Sequence, residues 1–250
     1  MSIPTGGCHT CGSLQFWETA FLFYLTNETK MRMMADMEKV LITMHSGSAG
    51  TEPNSVAYLK YALKARADIM EVDVHSSKDG KIILSHDQDS VISDLSLDEV
   101  LLKCSMAGIK VNLDIKHVQA IEPVVALLKQ NQYQDQVIFT GCQEEELSLL
   151  HRLLLCPFAL FNADRWDRVQ SYSHFIHTTI TRAKKANASA LNINAEDVEP
   201  VLVHACKEED LPVYVWTVDE QIRMEELIAM GVASITTHEV ELLRSLLARS

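Results

Sequence analysis

The sequence is poor in basic residues and in the residues that usually separate domains. Lys and Arg total 22 against 34 Asp and Glu, which gives a net charge of -12 at pH 7. Such a surface repels the backbone of DNA and RNA, so we expect no nucleic-acid partner, and any bound phosphate must be attracted by a local cation. The 250 residues include only 9 Gly and 6 Pro, and no Pro/Gly linker, internal repeat or low-complexity segment divides them. One main domain is therefore expected.

Dense cysteine spacing and long apolar runs are also absent. The six cysteines are scattered, which favours reduced thiols over a disulfide scaffold. Cys8 and Cys11 form a CxxC, but no second pair completes a zinc site, and we interpret the pair as inert. The apolar stretch 16–26 is too short to cross a bilayer and follows no basic segment, so we expect no transmembrane segment and a cytoplasmic location. We assign residues 1–37 to an N-terminal extension and 38–250 to the folded domain.

From Val40 onward, short β-rich runs alternate with stretches of helical periodicity, a rhythm that favours a parallel sheet. The run 81–86 follows the turn signal KDG too closely for a crossover helix, so we assign it to a hairpin arm that extends the second strand. The sequence therefore predicts an α/β fold, a single-domain TIM (β/α)8 barrel with a short hairpin after strand 2. The predicted barrel strands are 40–46, 68–75, 110–116, 136–141, 158–163, 189–194, 212–218 and 233–238.

Glu71 and Asp73 lie two residues apart in an otherwise apolar strand. Side chains at i and i+2 share a face of a strand, so the two carboxylates repel each other unless a cation neutralises them. Asp114 adds a third carboxylate at the end of the next barrel strand, where barrel enzymes carry their chemistry. Three oxygen donors suit Mg²⁺ or Ca²⁺ better than zinc. We predict a divalent metal site on Glu71, Asp73 and Asp114, the alternative being an acid cluster neutralised by lysines.

A series of short motifs follows one order along the chain: HSG at 45–47, EPNS at 52–55, EVD at 71–73, KDG at 78–80, HD at 86–87, DIK at 114–116, VWTVD at 215–219 and SITTH at 234–238. Each motif is weak alone, but their order and their placement at strand ends resemble the glycerophosphodiester phosphodiesterase family over residues 40–243. The resemblance implies a phosphoric diester hydrolase that converts a glycerophosphodiester to an alcohol and glycerol 3-phosphate with a divalent metal.

The resemblance also implies roles for individual residues. His45 and His86 occupy the family's catalytic positions, and diester cleavage needs one group to accept a proton and another to donate one. Lys116 shares a face with Asp114 and would contact a phosphate oxygen. Trp216 borders the alcohol moiety in the family, which predicts a substrate contact. The simpler alternatives are that the two histidines are ordinary hydrogen-bonded residues, that Lys116 is only a counter-ion to the acids, and that Trp216 is a partly buried core residue.

The chain departs from the family pattern at several motif positions. An Arg would offer a phosphate a permanently charged, planar fork, which Ser46 lacks. We therefore expect the affinity for a phosphodiester to depend on the metal, on Lys116 or on a compensating residue such as His75. The departures are Ser46 for Arg, Pro53 for Glu, Asp114 for Glu and His238 for Asp.

Two other functions stay open at this point. A barrel of the same chemistry could cleave lysophospholipid or sphingolipid diesters in the phospholipase D manner, which would require an apolar groove at the mouth. A catalytically weakened barrel could bind a phosphorylated ligand, as Ser46 and Pro53 suggest. Retention of the three acids and both histidines argues against it, because an anionic cluster without a function is costly. The expected partner is a small phosphodiester, and a homodimer is left open.

Overall fold

The structure is a computed structural model that describes residues 39–77, 79–86 and 94–249. The proposed N-terminal extension, with its CxxC and its apolar stretch, lies outside the described residues. Lys78 of the KDG motif and Asp87 of the HD motif also lie outside them. Within the described part of the chain, no helix is long and apolar enough to cross a membrane.

Strands and helices alternate along the described residues. The strands are β1 (Leu41–Met44), β2 (Ile69–Ser76), β3 (Ile82–Leu84), β4 (Lys110–Ile115), β5 (Val137–Cys142), β6 (Ala159–Asn162), β7 (Ala190–Asn194), β8 (Val213–Trp216) and β9 (Ser234–Thr237). The α-helices are α1 (Val56–Ala65), α2 (Leu97–Ala107), α3 (Ile121–Asn131), α4 (Glu144–Leu153), α5 (Tyr172–Lys185), α6 (Pro200–Glu208), α7 (Gln221–Met230) and α8 (Val240–Leu247).

The strands close into a barrel. Their order is β1-β9-β8-β7-β6-β5-β4-β2, and β1 pairs with β2 to complete the ring. Each of these neighbouring pairs is parallel. β3 pairs antiparallel with β2, with Val74 opposite Leu84. The predicted TIM barrel and its hairpin after strand 2 are confirmed.

Local sequence signals explain where the helices begin and end. The side chain of Ser55 accepts a hydrogen bond from the backbone of Tyr58 and caps α1. α7 ends at Gly231 in the left-handed conformation. The buried face of α1 comprises Tyr58, Leu59, Ala62 and Ala65, spaced as expected for an amphipathic helix that packs on a sheet.

The alternation along β2 places charged groups inside the barrel. Met70, Val72 and Val74 are buried in the core that the strands share with the helices. Ile69 belongs to a smaller cluster made mostly of strand residues. Because successive side chains of a strand point to opposite faces, Glu71 and Asp73 share the face of Ile69 and point into the barrel interior.

Candidate active site

A cavity of about 250 Å³ opens among the strand ends of the barrel. All the predicted site residues line it, namely His45, Glu71, Asp73, His86, Asp114, Lys116 and Trp216. Asn112, Thr140, Asn162, Asn192, Thr217 and Thr236 complete the lining. The carboxyl ends of barrel strands are where enzymes of this architecture carry their active sites. The structure thus brings the predicted residues together, while their individual roles stay predictions.

Three carboxylates converge in this cavity. One oxygen from each of Glu71, Asp73 and Asp114 lies within 4.8 Å of the others. Glu71 is 7% exposed and Asp73 is 3% exposed. Burial, reinforced by the negative charges of Asp114 and Asp73, raises the pKa of Glu71 well above its usual value. Oε2 of Glu71 is buried without a hydrogen-bond partner among the described residues. A buried acceptor beside two further carboxylates fits a hard divalent cation.

Lys116 neutralises part of this negative charge. Its Nζ lies 2.6 Å from Oδ1 of Asp73 and 2.5 Å from Oδ2 of Asp114. Burial alone would lower the pKa of Lys116, but Asp114 and Asp73 raise it above its usual value. Burial would likewise raise the pKa of Asp73, and Lys116 and Asn54 lower it instead. Lys116 therefore stays charged, and it keeps Asp73 ionised.

Asn54, in the EPNS motif, holds Asp73 in place. Its Nδ2 donates to Oδ2 of Asp73 at 2.8 Å, and its Oδ1 accepts from the backbone N of Asp73 at 2.9 Å. Asn54 has a φ of 54°, a left-handed conformation that Asn tolerates better than most residues. Its backbone N–H donates to Oγ of Ser46 at 3.0 Å. Ser46 is 4% exposed, so at the family's Arg position it supports the Asn54 loop.

The geometry of His45 favours a proton-accepting role. Its Nδ1 lies 2.9 Å from the backbone oxygen of Ser46. Because a carbonyl only accepts, Nδ1 carries the proton and Nε2 keeps its lone pair in the neutral ring. Burial lowers the pKa of His45, although the bond to Ser46 opposes this effect. His45 is therefore mainly neutral near pH 7, as a general base must be.

His86 reaches the cavity from the hairpin rather than from a barrel strand. The hairpin is tied to β2 by the backbone N–H of Ser85, which donates to the carbonyl of Asp73 at 3.1 Å. Nε2 of His75 lies 2.9 Å from the carbonyl oxygen of His86 and donates to it. His75 is buried and does not line the cavity, so it supports His86 and is not placed to bind a phosphate there.

His238 lies against His45, a contact that the sequence did not predict. The two ring centroids are 4.4 Å apart. Nδ1 of His238 pairs with Oδ2 of Asp219 at 2.9 Å, and the backbone N of His238 donates to Oδ1 of Asp219 at 2.8 Å. The VWTVD and SITTH motifs, which carry these two residues, were the only sequence signal that pointed to this pair.

The model of the glycerophosphoryl diester phosphodiesterase family matches residues 45–102 and 97–242. The chain belongs to this family. The resemblance inferred from the motifs is confirmed. The residues at the family's catalytic positions, His45 and His86, line the cavity described above.

Named relatives and solved structures agree with the family. A glycerophosphodiester phosphodiesterase of Caldanaerobacter subterraneus subsp. tengcongensis is 23% identical over 250 aligned residues, covering 84% of this chain and 99% of the relative. A structure from Silicibacter pomeroyi, described as a glycerophosphoryl diester phosphodiesterase, has a TM-score of 0.72 at 15% identity, covering 84% of this chain and 94% of that one. A phosphodiesterase from Oleispira antarctica, solved with its product sn-glycerol-3-phosphate, has a TM-score of 0.70 at 19% identity, covering 84% and 97%.

In metal-free protein, Glu71→Gln is expected to raise the melting temperature, and to raise it more at pH 8 than at pH 5. Because the pKa of Glu71 is raised by folding, the folded protein holds a proton that the unfolded chain releases, so this carboxyl costs stability as pH rises above its unfolded value. The amide removes that cost, and about 1 kcal/mol corresponds to about 2–4 °C in a domain of this size. Thermal melts at both pH values measure the change.

The matched control is Glu145→Gln, which changes an exposed glutamate on α4 and should show no such pH dependence. Mg²⁺ is expected to raise the melting temperature of the wild type, and the Glu71→Gln protein should lack this effect. A variant that melts lower than the wild type at pH 8 without metal would contradict this account of Glu71.

Proposed function

We propose that this chain hydrolyses a glycerophosphodiester to an alcohol and glycerol 3-phosphate, through acid–base catalysis by His45 and His86 beside a carboxylate-bound Mg²⁺ or Ca²⁺. The observation that carries the proposal is the cavity itself. In a chain of this family, one cavity holds both histidines, three convergent carboxylates and Lys116. The buried oxygen Oε2 of Glu71, which has no partner among the described residues, supports a cation at the carboxylates.

The donor set defines what each residue contributes. Glu71, Asp73 and Asp114 would hold the cation, with Asn54 orienting Asp73 from outside the metal site. When bound, such a cation supplies polarisation of a phosphate oxygen and acidifies a nearby hydroxyl. Each carboxylate oxygen has further lone pairs, so the contacts with Lys116 and Asn54 leave room for a metal bond.

The proton transfers fall to the two histidines. Nε2 of His45 would take the proton of the glycerol 2-hydroxyl as that oxygen attacks phosphorus. His86 would return a proton to the leaving alkoxide. The resulting cyclic phosphate is opened by water, with the two proton transfers reversed. Lys116 would donate to a phosphate oxygen and stabilise the charge that develops there, and Trp216 would border the alcohol.

Turnover of a substrate panel tests this function. The purified chain is incubated with Mg²⁺ or Ca²⁺ and with glycerophosphocholine, glycerophosphoethanolamine or lysophosphatidylcholine. Released glycerol 3-phosphate and the released alcohol, choline or ethanolamine, are both measured, because the lysolipid would yield choline without glycerol 3-phosphate. Formation of glycerol 3-phosphate from the glycerophosphodiesters is expected. Cleavage of the lysolipid alone would favour the phospholipase D alternative, and no cleavage with either metal would contradict the proposed reaction.

A further inference from the structure

Two asparagines line the cavity without a role in the reaction described so far. Asn162 ends β6, and Asn192 lies in β7 beside it, in register. Nδ2 of Asn192 donates to Oδ1 of Asn162 at 3.0 Å. Both residues belong to the lining of the cavity that holds His45, His86 and the carboxylates.

The backbone of Gly141 fixes the orientation of both amides. Its N–H donates to Oδ1 of Asn162 at 3.1 Å. A backbone amide only donates, so the oxygen of Asn162 must face it, and Asn192 must approach that oxygen with its nitrogen. Gly141 has a φ of 70°, and a Cβ added there would lie 2.2 Å from the carbonyl oxygen of Ile115. Only glycine fits this position, so the donor that orients the pair is held in place.

This arrangement leaves the amide nitrogen of Asn162 and the amide oxygen of Asn192 without partners among the described residues. Within the described ranges 39–77, 79–86 and 94–249, no residue accepts from Nδ2 of Asn162 or donates to Oδ1 of Asn192. Both atoms have exposed surface, because neither is completely buried. They are therefore accessible from the cavity that their residues line. A hydroxyl group both donates and accepts through one oxygen, whereas the oxygens of an ionised phosphate only accept. The pair is thus matched to a hydroxyl.

We propose that Asn162 and Asn192 together bind the terminal hydroxyl of the glycerol moiety and make the enzyme selective for glycerol diesters. This inference rests on the proposed function. The attacking 2-hydroxyl must lie at His45, and in-line displacement puts the leaving alcohol on the far side of phosphorus. The terminal hydroxyl is one carbon from the attacking one, so it stays inside the cavity that the asparagine pair lines.

A cycle between enzyme and substrate variants tests the proposal. The substrates are glycerophosphocholine and its analogue with hydrogen in place of the terminal hydroxyl, which keeps the attacking 2-hydroxyl. With Mg²⁺, the wild type should cleave the analogue with kcat/KM lower by roughly tenfold or more, because the asparagine atoms lose their partner. Asn162→Leu and Asn192→Leu should each lower kcat/KM for glycerophosphocholine by a similar factor. For the analogue, their kcat/KM should stay close to that of the wild type.

Two additional variants keep the experiment decisive. Asn162→Thr supplies a hydroxyl donor in a smaller side chain and should restore part of the selectivity, even if a leucine variant fails to fold. Asn131→Leu, at the end of α3, should leave both rates unchanged. Equal turnover of the two substrates by the wild type, or equal loss on both substrates in the variants, would overturn the proposal. Cleavage of neither substrate by the wild type would instead refute the proposed function and this inference with it.

Discussion

Alanine in place of His45 or His86 is expected to lower kcat by roughly 10²–10⁴-fold while the melting temperature stays near that of the wild type. His45 presents a lone pair at Nε2 because Ser46 binds its Nδ1, and His86 enters the same cavity from the hairpin. Each ring would carry one of the two proton transfers. Steady-state kinetics on a glycerophosphodiester at saturating Mg²⁺ measure the loss.

The double variant His45→Ala/His86→Ala should be little slower than either single variant, because groups that act in one step lose their effect together. His204→Ala, which removes an exposed histidine from α6, is the matched control and should retain full activity. If the loss of kcat in the double variant equalled the product of the two single losses, the two histidines would act independently. Activity that survives either single substitution would remove that histidine from the mechanism.

Asp73→Asn is expected to abolish measurable binding of Mg²⁺ or Ca²⁺ and, with it, turnover. Asp73 is central to the cluster, since it contacts Lys116 and Asn54 as well as facing the other two carboxylates. Removal of a partner outside the metal site typically costs about 10–100-fold in metal affinity, so loss of a direct ligand should exceed that range. Isothermal titration calorimetry and metal-dependent shifts in melting temperature measure the change.

The control for this variant is Asp210→Asn, an exposed residue in the turn before β8 at the opposite end of the barrel. It has a φ of 52°, which Asn also adopts readily, so the fold should be unaffected. Equal heats of metal binding in Asp73→Asn and wild type would show that the carboxylate cluster is not the metal site. A wild type that binds neither ion would lead to the same conclusion.

Much of the fold was predictable from the sequence because the signals are local. The alternation in β2 places Glu71 and Asp73 on one face whatever the rest of the chain does, and the KDG turn allows only a hairpin between β2 and 81–86. Once eight β-rich runs alternate with helices, a parallel barrel brings their carboxyl ends together, so the grouping of His45, Asp114 and Trp216 at one cavity followed from strand position alone.

The hydrogen bonds of the cavity could not be predicted in this way. The role of Ser46 as a support for Asn54, the contact of His75 with His86 and the packing of His238 on His45 depend on how the loops fold over the strand ends. A resemblance to family motifs identifies such positions but not their partners. A substituted residue such as Ser46 can therefore take a structural contact in place of a ligand contact.

By itself, the sequence determined the barrel, the hairpin and the acids and histidines that the strand ends and the hairpin carry, because hydrophobic periodicity and turn chemistry act over a few neighbouring residues. Only the tertiary structure decided the tautomer of His45, the charge balance around Lys116 and the direction of the Asn162 and Asn192 amides. Those properties depend on contacts of about 3 Å whose geometry is set by the folded strands and loops, whether the partners are neighbours in the chain, as His45 and Ser46 are, or far apart. Such contacts exist only after the barrel has closed.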